Sequence, residues 1–275
     1  MIWGRAARAA LAAGAALGRL AFALGLRRKV SLDNLARAFP ELEPGARRRI
    51  AKAAYAQLGV SLVEIALVRR ASDTFLGKLV RLEAWERYET AQAGGRGVVV
   101  AVAHFGNWEL LGRAGARRGV PVTAITRPLR GGLNRRIVDA RREGGLRELP
   151  DKGSSGNAVG LLRRGETLAV VVDQNMRPRR GIFVDFFGAK ACTTPAAAVL
   201  ALRAGVPLLA AFPFRQADGS HLVRVLGPFA PPPGARGHVA VVALTQAVTK
   251  AVEDAVRERP DHWFWVHRRW KTRPE

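Results

Sequence analysis

The stretch AVAHFGNWEL, residues 101–110, places an ionisable pair where a hydrophobic run ends and a helix begins. His104 follows the run directly, Gly106 permits a sharp turn, and Asn107 suits a helix N-cap. Glu109 falls in the first helical turn, where the helix dipole favours a carboxylate. On one continuous helix, residues five apart point about 140° away from each other. With His104 on the turn before the helix, the two side chains can meet. A histidine base oriented by a carboxylate, with no protein nucleophile, could take the proton from a hydroxyl while that hydroxyl attacks an activated acyl group. Glu109 would fix the imidazole tautomer and stabilise the imidazolium. A thioester has a good leaving group, so no acyl-enzyme is needed. Taken alone, a His-x4-Glu pair also suits a histidine that only hydrogen-bonds within a strand-to-helix turn, and the spacing leaves both readings open.

The elements that must position this pair follow from hydrophobic patterning. Gly94-Gly95-Arg96-Gly97 releases into VVVAVA, a continuous run of the kind that forms a strand covered on both faces. Similar runs recur at Val120–Thr126, Thr167–Val172 and Val206–Phe214. Helical stretches separate them at Trp108–Arg118, Leu133–Arg142, Asn157–Arg163 and Pro195–Arg203. The alternation predicts an α/β layered domain whose central sheet is mostly parallel or mixed and flanked by helices. Upstream, Ile50, Ala53, Ala54, Leu58, Leu62, Ile65 and Leu67 recur at helical spacing after the breaker Pro44-Gly45, which predicts a long helix in two parts that serves packing. A last helix, His238 to Arg259, leads into an aromatic tail.

The chain has 275 residues, nearly half of them apolar, and a net charge of +23, so it can bury a sizeable core and is not disordered as a whole. The single cysteine, Cys192, excludes a disulfide framework and a cysteine zinc cluster, and reads as a small buried filler. The charge predicts an acidic partner: nucleic acid, an anionic membrane surface, or an acidic protein or lipid. Residues 2–26 are rich in Ala, Leu and Gly, contain no acid, and precede the cluster Arg27, Arg28, Lys29. A membrane span needs roughly 20 apolar residues, and Arg19 interrupts this run. An interfacial or partly inserted helix is the first reading, ahead of a single span, a signal peptide or a helix packed on the body. Residues 1–29 are therefore expected to associate with a membrane, and residues 30–275 to form one domain. The chain has no Gly-x-Ser-x-Gly elbow, phosphate loop, His-Glu-x-x-His or Gly-x-Gly-x-x-Gly after a strand.

Four blocks in order carry a specific resemblance: HFGNWEL; TRP at Thr126–Pro128; VVVDQNMRPRRGIFVDFFGAKACTTPAAAVLALRAGVPLL; and HWFWVHRRWKTRP. From about Ser31 to Pro274 the chain resembles the bacterial late acyltransferases of lipid A biosynthesis, whose superfamily includes the mycobacterial phosphatidylinositol mannoside acyltransferases. The resemblance implies a glycerolipid-acyltransferase-like fold, with His104 as general base and Glu109 as its partner in a His-x4-Asp/Glu dyad. It places Arg127 and Arg142 near the active site, where a guanidinium could hold a phosphate or polarise a thioester carbonyl. It also implies that Asp173 and Gln174 line the site, although Asp173 could equally cap a turn or pair an arginine. Phe183, Phe186, Phe187 and Gly188 offer an apolar wall for an acyl chain, and Asn107 and Phe187 complete the expected substrate-binding set.

Two departures from the family pattern are Cys192, at a position of small residues, and the helix start at Pro195, where Thr193 and Thr194 precede NH groups able to hold an anion. His262 and His267 sit among Trp263, Phe264, Trp265 and Trp270 and read as packing, not metal ligands.

The implied activity is a membrane-associated O-acyltransferase that moves a fatty acyl chain from acyl carrier protein or CoA to a hydroxyl of an anionic glycolipid such as a lipid A precursor. It would work at the cytoplasmic face of the bacterial inner membrane, without metal or bound cofactor and with no nucleic-acid partner. Rival acceptors are a mannosylated phosphoinositide, a lysophospholipid or an ornithine lipid. A basic nucleic-acid-binding protein accounts for the charge but lacks a recognisable binding motif, and a lipid-binding scaffold would not need the dyad.

Overall fold

The computed structural model describes every residue except Met1, Arg70, residues 127–131, Lys152, Ser154 and Glu275, and describes only the backbone of residues 132–137. Three helices open the chain, α1 (Arg5–Ala23), α2 (Arg28–Ala38) and α3 (Pro44–Val68), followed by the short α4 (Asp73–Leu79). The alternating region then runs β1 (Val80–Glu83), α5 (Glu86–Gln92), β2 (Val98–Val102), α6 (Leu110–Arg117), β3 (Val122–Thr126), α7 (Gly132–Glu143), β4 (Arg147–Pro150), α8 (Ser155–Arg163) and β5 (Thr167–Val171). A hairpin follows, β6 (Ile182–Phe186) and β7 (Ala189–Thr193). The chain closes with α9 (Ala196–Ala204), β8 (Leu208–Arg215), β9 (His221–Phe229) and α10 (Gly237–Glu258).

Seven strands form one sheet in the order β1-β9-β8-β2-β5-β3-β4, parallel throughout except where β8 meets β9. The expected mixed, mostly parallel sheet flanked by helices is what the chain forms. The four runs read as strands become β2, β3, β5 and β8. The short edge strands β1 and β4, the β6–β7 hairpin and β9 were not anticipated. In β9 buried and half-buried residues alternate, a pattern weaker than the continuous apolar runs of the central strands.

The central strand β2 shows why its sequence is continuous and apolar. Val99 and Ala101 join the larger core cluster on one face, while Val98 and Val100 join a second cluster on the other. The two faces serve different ends: one is a dense core containing Phe105, Phe186, Trp263 and Trp265, and the other faces α5 and α6.

The N-terminal apolar helix is held on the body. Its Gly14 and Gly18 meet α3 backbone to backbone: a Cβ on Gly18 would lie 2.0 Å from the Tyr55 carbonyl oxygen, and one on Gly59 would lie 2.0 Å from that of Gly14. Small residues at this spacing let two helices approach more closely than side chains would permit. Trp3, also buried, donates from its indole to the Gly219 carbonyl at 3.3 Å. The opposite face of α1 exposes Leu17 and Leu20, with the exposed Leu24 and Leu26 just beyond its end. By length and composition, α1 and α3 are both long and apolar enough to cross a membrane.

Candidate active site

His104 stands two residues beyond β2, at the carboxyl end of the sheet. That is where open α/β sheets gather ligand-contacting groups, because the loops there leave a crevice. Gly106 follows with φ +57°, and a Cβ there would lie 2.0 Å from the Pro213 carbonyl oxygen, so the sharp turn expected of this glycine is required. The C-terminal aromatic segment pins the same turn. Gly106 N–H donates to the His262 carbonyl at 2.8 Å, Phe264 N–H donates to the His104 carbonyl at 3.1 Å, and Phe105 bridges to Trp263. The tail residues that looked like packing therefore set the position of the imidazole.

The carboxylate that orients His104 is Asp173. Its Oδ1 lies 2.8 Å from His104 Nδ1, its Oδ2 accepts the His104 backbone N–H at 3.0 Å, and the Trp263 indole donates to Oδ2 at 2.8 Å. Asp173 is buried; burial by itself would raise its pKa, but the charge and hydrogen bonds of His104, helped by Trp263, hold it below the usual carboxylate range. An ionised Asp173 accepts, so Nδ1 carries the proton and Nε2 presents its lone pair toward the opening. There the Gln174 Nε2 lies 3.3 Å away. Burial opposes protonation of His104, yet Asp173 more than offsets it; Glu109 adds and Arg141 subtracts, and the net shift is upward.

Glu109 thus differs from the expectation that it would contact His104. It accepts both nitrogens of an Arg141 fork, Nε at 2.8 Å and Nη2 at 2.6 Å, and the Trp108 indole at 3.0 Å. Arg141 also donates to Glu148 at 2.9 Å. The physical reason is the helix start: α6 begins at Leu110, so Glu109 is its N-cap residue and faces α7 instead of the imidazole. Glu109 still shares the cavity with His104 and acts on it through space.

Other expected residues fall as follows. Arg142 is exposed; Arg141, one residue and about 100° away on the helix, is the arginine at the site. Arg127 lies outside the described residues. Asn107 does not cap the helix: it is buried and donates to Glu64 Oε2 at 2.6 Å. Phe187 is buried in the dense core on the sheet's other face, against Phe39 and Phe186, and none of Phe183, Phe186, Phe187 or Gly188 lines the cavity at His104. Cys192 is buried, and the Nε2 atoms of His262 and His267 accept backbone N–H groups from Arg215 and Asn175. Among the described residues no cluster of three or more His, Cys, Asp or Glu side chains could hold a metal ion.

One group the sequence reading missed is Glu64 of α3. Fully buried, it accepts from Arg215 at 2.9 and 2.7 Å, from His221 at 3.0 Å and from Asn107. Burial raises its pKa, and the His221 and Arg215 contacts reverse this and bring it down to about 2. Through Asn107 this carboxylate braces the turn that carries His104. A lone acid in the apolar stretch LGVSLVEIALV was its only sequence signal.

His104, Trp108, Glu109 and Arg141 stand at one end of a cavity of about 140 Å³. Its walls are the inward residues of β2, β3, β5, β8 and β9, covered by α5 and α6, and they are almost wholly apolar. A base at the end of a long apolar slot, with no serine or cysteine in its wall among the described residues, suits proton abstraction from the head of an amphiphile whose tail is buried.

A mixed α/β sheet with an oriented histidine at its carboxyl edge and an apolar slot below it is a geometry that suits acyl transfer. The profile of the family described as bacterial lipid A biosynthesis acyltransferase matches residues 6–272, and the chain belongs to that family. Among its relatives, the lipid A biosynthesis lauroyltransferase of Escherichia coli (strain K12) is 28% identical over 268 residues, covering 95% of this chain and 85% of the relative. The lipid A biosynthesis palmitoleoyltransferase of the same strain is 27% identical over 252 residues, 90% and 80% of the two chains. A phosphatidylinositol mannoside acyltransferase of Mycolicibacterium smegmatis is 27% identical over 186 residues, 66% of this chain and 59% of the relative. The chain is an acyltransferase.

Proposed function

We propose that this enzyme transfers a fatty acyl chain from an acyl carrier protein or CoA thioester to a hydroxyl of a lipid A precursor, with His104 as general base. The observation that carries the reading is the His104–Asp173 pair at the open end of the apolar cavity. The donor's chain lies in the cavity with its thioester carbonyl at the opening. The acceptor hydroxyl replaces Gln174 beside Nε2 and gives up its proton there as its oxygen attacks the carbonyl carbon. The new ester bond forms, the carbon–sulfur bond breaks, and the imidazolium returns the proton to the leaving sulfur. Asp173 holds the productive tautomer and stabilises the imidazolium, as in a triad without its serine. Glu109, fixed by Arg141, raises the proton affinity of His104 from the side. Arg127 follows Thr126, which lines the cavity, and is the expected ligand for an acceptor phosphate. No cofactor enters the scheme.

The charge of +23 suits acidic carrier protein, CoA, phosphorylated acceptor and anionic lipid alike. The exposed leucines of α1, with Arg19, Arg27 and Arg28 nearby in sequence, support seating on the cytoplasmic face of the inner membrane. The test uses purified enzyme, acyl donor and lipid A precursor, with mass spectrometry for the gain of one acyl chain. Transfer is expected from the parent enzyme and is lost in His104→Ala, with folding and vesicle binding retained; near-parent turnover in that variant would overturn the mechanism. Offering phosphatidylinositol mannoside or lysophospholipid instead separates the acceptors.

A further inference from the structure

The cavity below His104 is apolar along its whole length except at its far end. There Tyr88 of α5 and Thr167 at the start of β5, both buried, face each other with 2.6 Å between their hydroxyl oxygens. The Tyr88 ring is fixed in turn by stacking on Trp85 at 4.4 Å. Strand register gives the distance from this floor to the base. Thr167 pairs with Val98, six residues before His104, so at 3.3 Å per residue the slot is about 20 Å deep. One leaflet of a bilayer core is about 15 Å thick, half of the usual ~30 Å, so the slot is deep enough to bury a chain of ordinary membrane-lipid length, which reaches toward the floor when fully extended with its carbonyl near His104.

Resting on the acyl-transfer reading above, we propose that the Tyr88–Thr167 pair is the stop that sets the longest acyl chain this enzyme accepts. The stop is steric, because the stacked phenol cannot swing aside, and it is also polar. A methyl end pushed past it would separate two buried hydroxyls from each other and leave both without partners, which is costly in an apolar site. Above the floor, Ala169 on β5 and Ala124 on β3, level with Val100, are small side chains in the cavity wall. Enlarging Ala169 would therefore raise the floor by two residues, about 7 Å.

The experiment gives the full-length enzyme an equimolar mixture of acyl-CoA thioesters from octanoyl to stearoyl and reads the transferred chain by mass spectrometry. The parent enzyme is expected to show a sharp upper limit. Tyr88→Ala moves that limit to longer chains, with about a tenfold gain in the ratio of over-length to limit-length product, the scale of one or two methylenes in a fitted pocket. Ala169→Leu moves it to shorter chains by at least as much. Unchanged chain profiles in both variants, with transfer persisting, would overturn the stop and leave the acyl-transfer reading standing. If Tyr88→Ala does not fold by circular dichroism, Ala169→Leu decides alone: a shift to shorter chains supports the stop, and an unchanged profile overturns it. A parent enzyme that transfers no chain from any donor would overturn the underlying reading, and the stop with it.

Discussion

His104 draws its basicity from a balance of burial and charge. Desolvation disfavours the imidazolium, and Asp173 at 2.8 Å outweighs it, so the proton affinity rises in the fold. A general base must be neutral to act, so kcat/KM is expected to climb with pH through an apparent pKa above the unperturbed ~6.5. The linkage has the opposite sense. The charged His104–Asp173 pair adds stability that is complete below about pH 6.5 and is lost as pH rises through the raised folded-state value. Asp173→Asn removes the dominant raising charge and is predicted to shift the acid limb to lower pH while lowering kcat by about 10³–10⁴-fold. A pH–rate profile checks both, and an unmoved acid limb would assign the orienting role elsewhere.

Among the elements, α1 and α3 meet backbone to backbone through Gly14, Gly18 and Gly59. Backbones this close have no room for a methyl group, since the atoms in the way are carbonyl oxygens and cannot rotate aside. Gly18→Val is expected to cost about 1–3 kcal/mol, read by urea unfolding. Gly94→Ala, whose added carbon meets nothing within 4 Å, serves as the near-neutral control. Because α3 also carries Glu64, which braces the turn of His104 through Asn107, loosening this junction should lower activity along with stability.

For the whole molecule, the relevant feature is the apolar stripe that α1 leaves uncovered while its glycine face is buried. Leu17 and Leu20 share that outer face, with Leu24 just beyond the helix end, and Leu17 and Leu24 are 64% and 69% exposed. Each leucine moved into a lipid interface is worth about 1.5–3 kcal/mol, with arginines adding a salt-sensitive attraction to anionic headgroups. Replacing Leu17, Leu20, Leu24 and Leu26 by serine is predicted to weaken binding to phosphatidylglycerol vesicles more than about tenfold while leaving the unfolding midpoint close to the parent value. Flotation assays measure the first and thermal melts the second. Undiminished flotation would place the membrane-facing surface elsewhere.

Sequence alone determined the α/β class, the four central strands, the turn at Gly106 and the histidine at its head, because all of these are local. They follow from hydrophobic period, from a residue without Cβ, and from short blocks of neighbouring residue types. Which carboxylate serves that histidine was a tertiary decision. Asp173 lies 69 residues away and reaches His104 only because β5 pairs beside β2 in parallel register. Helix phase decided Arg141 over Arg142, and strand alternation decided which face of the sheet is slot and which is solid core. The separate β6–β7 hairpin carries Phe187 into the solid core, away from the slot, and the packing of α5 brings Tyr88 against Thr167. Glu64 escaped notice for the same reason: its partners Asn107, Arg215 and His221 come from three separate segments, and no spacing along one chain records a meeting arranged by packing.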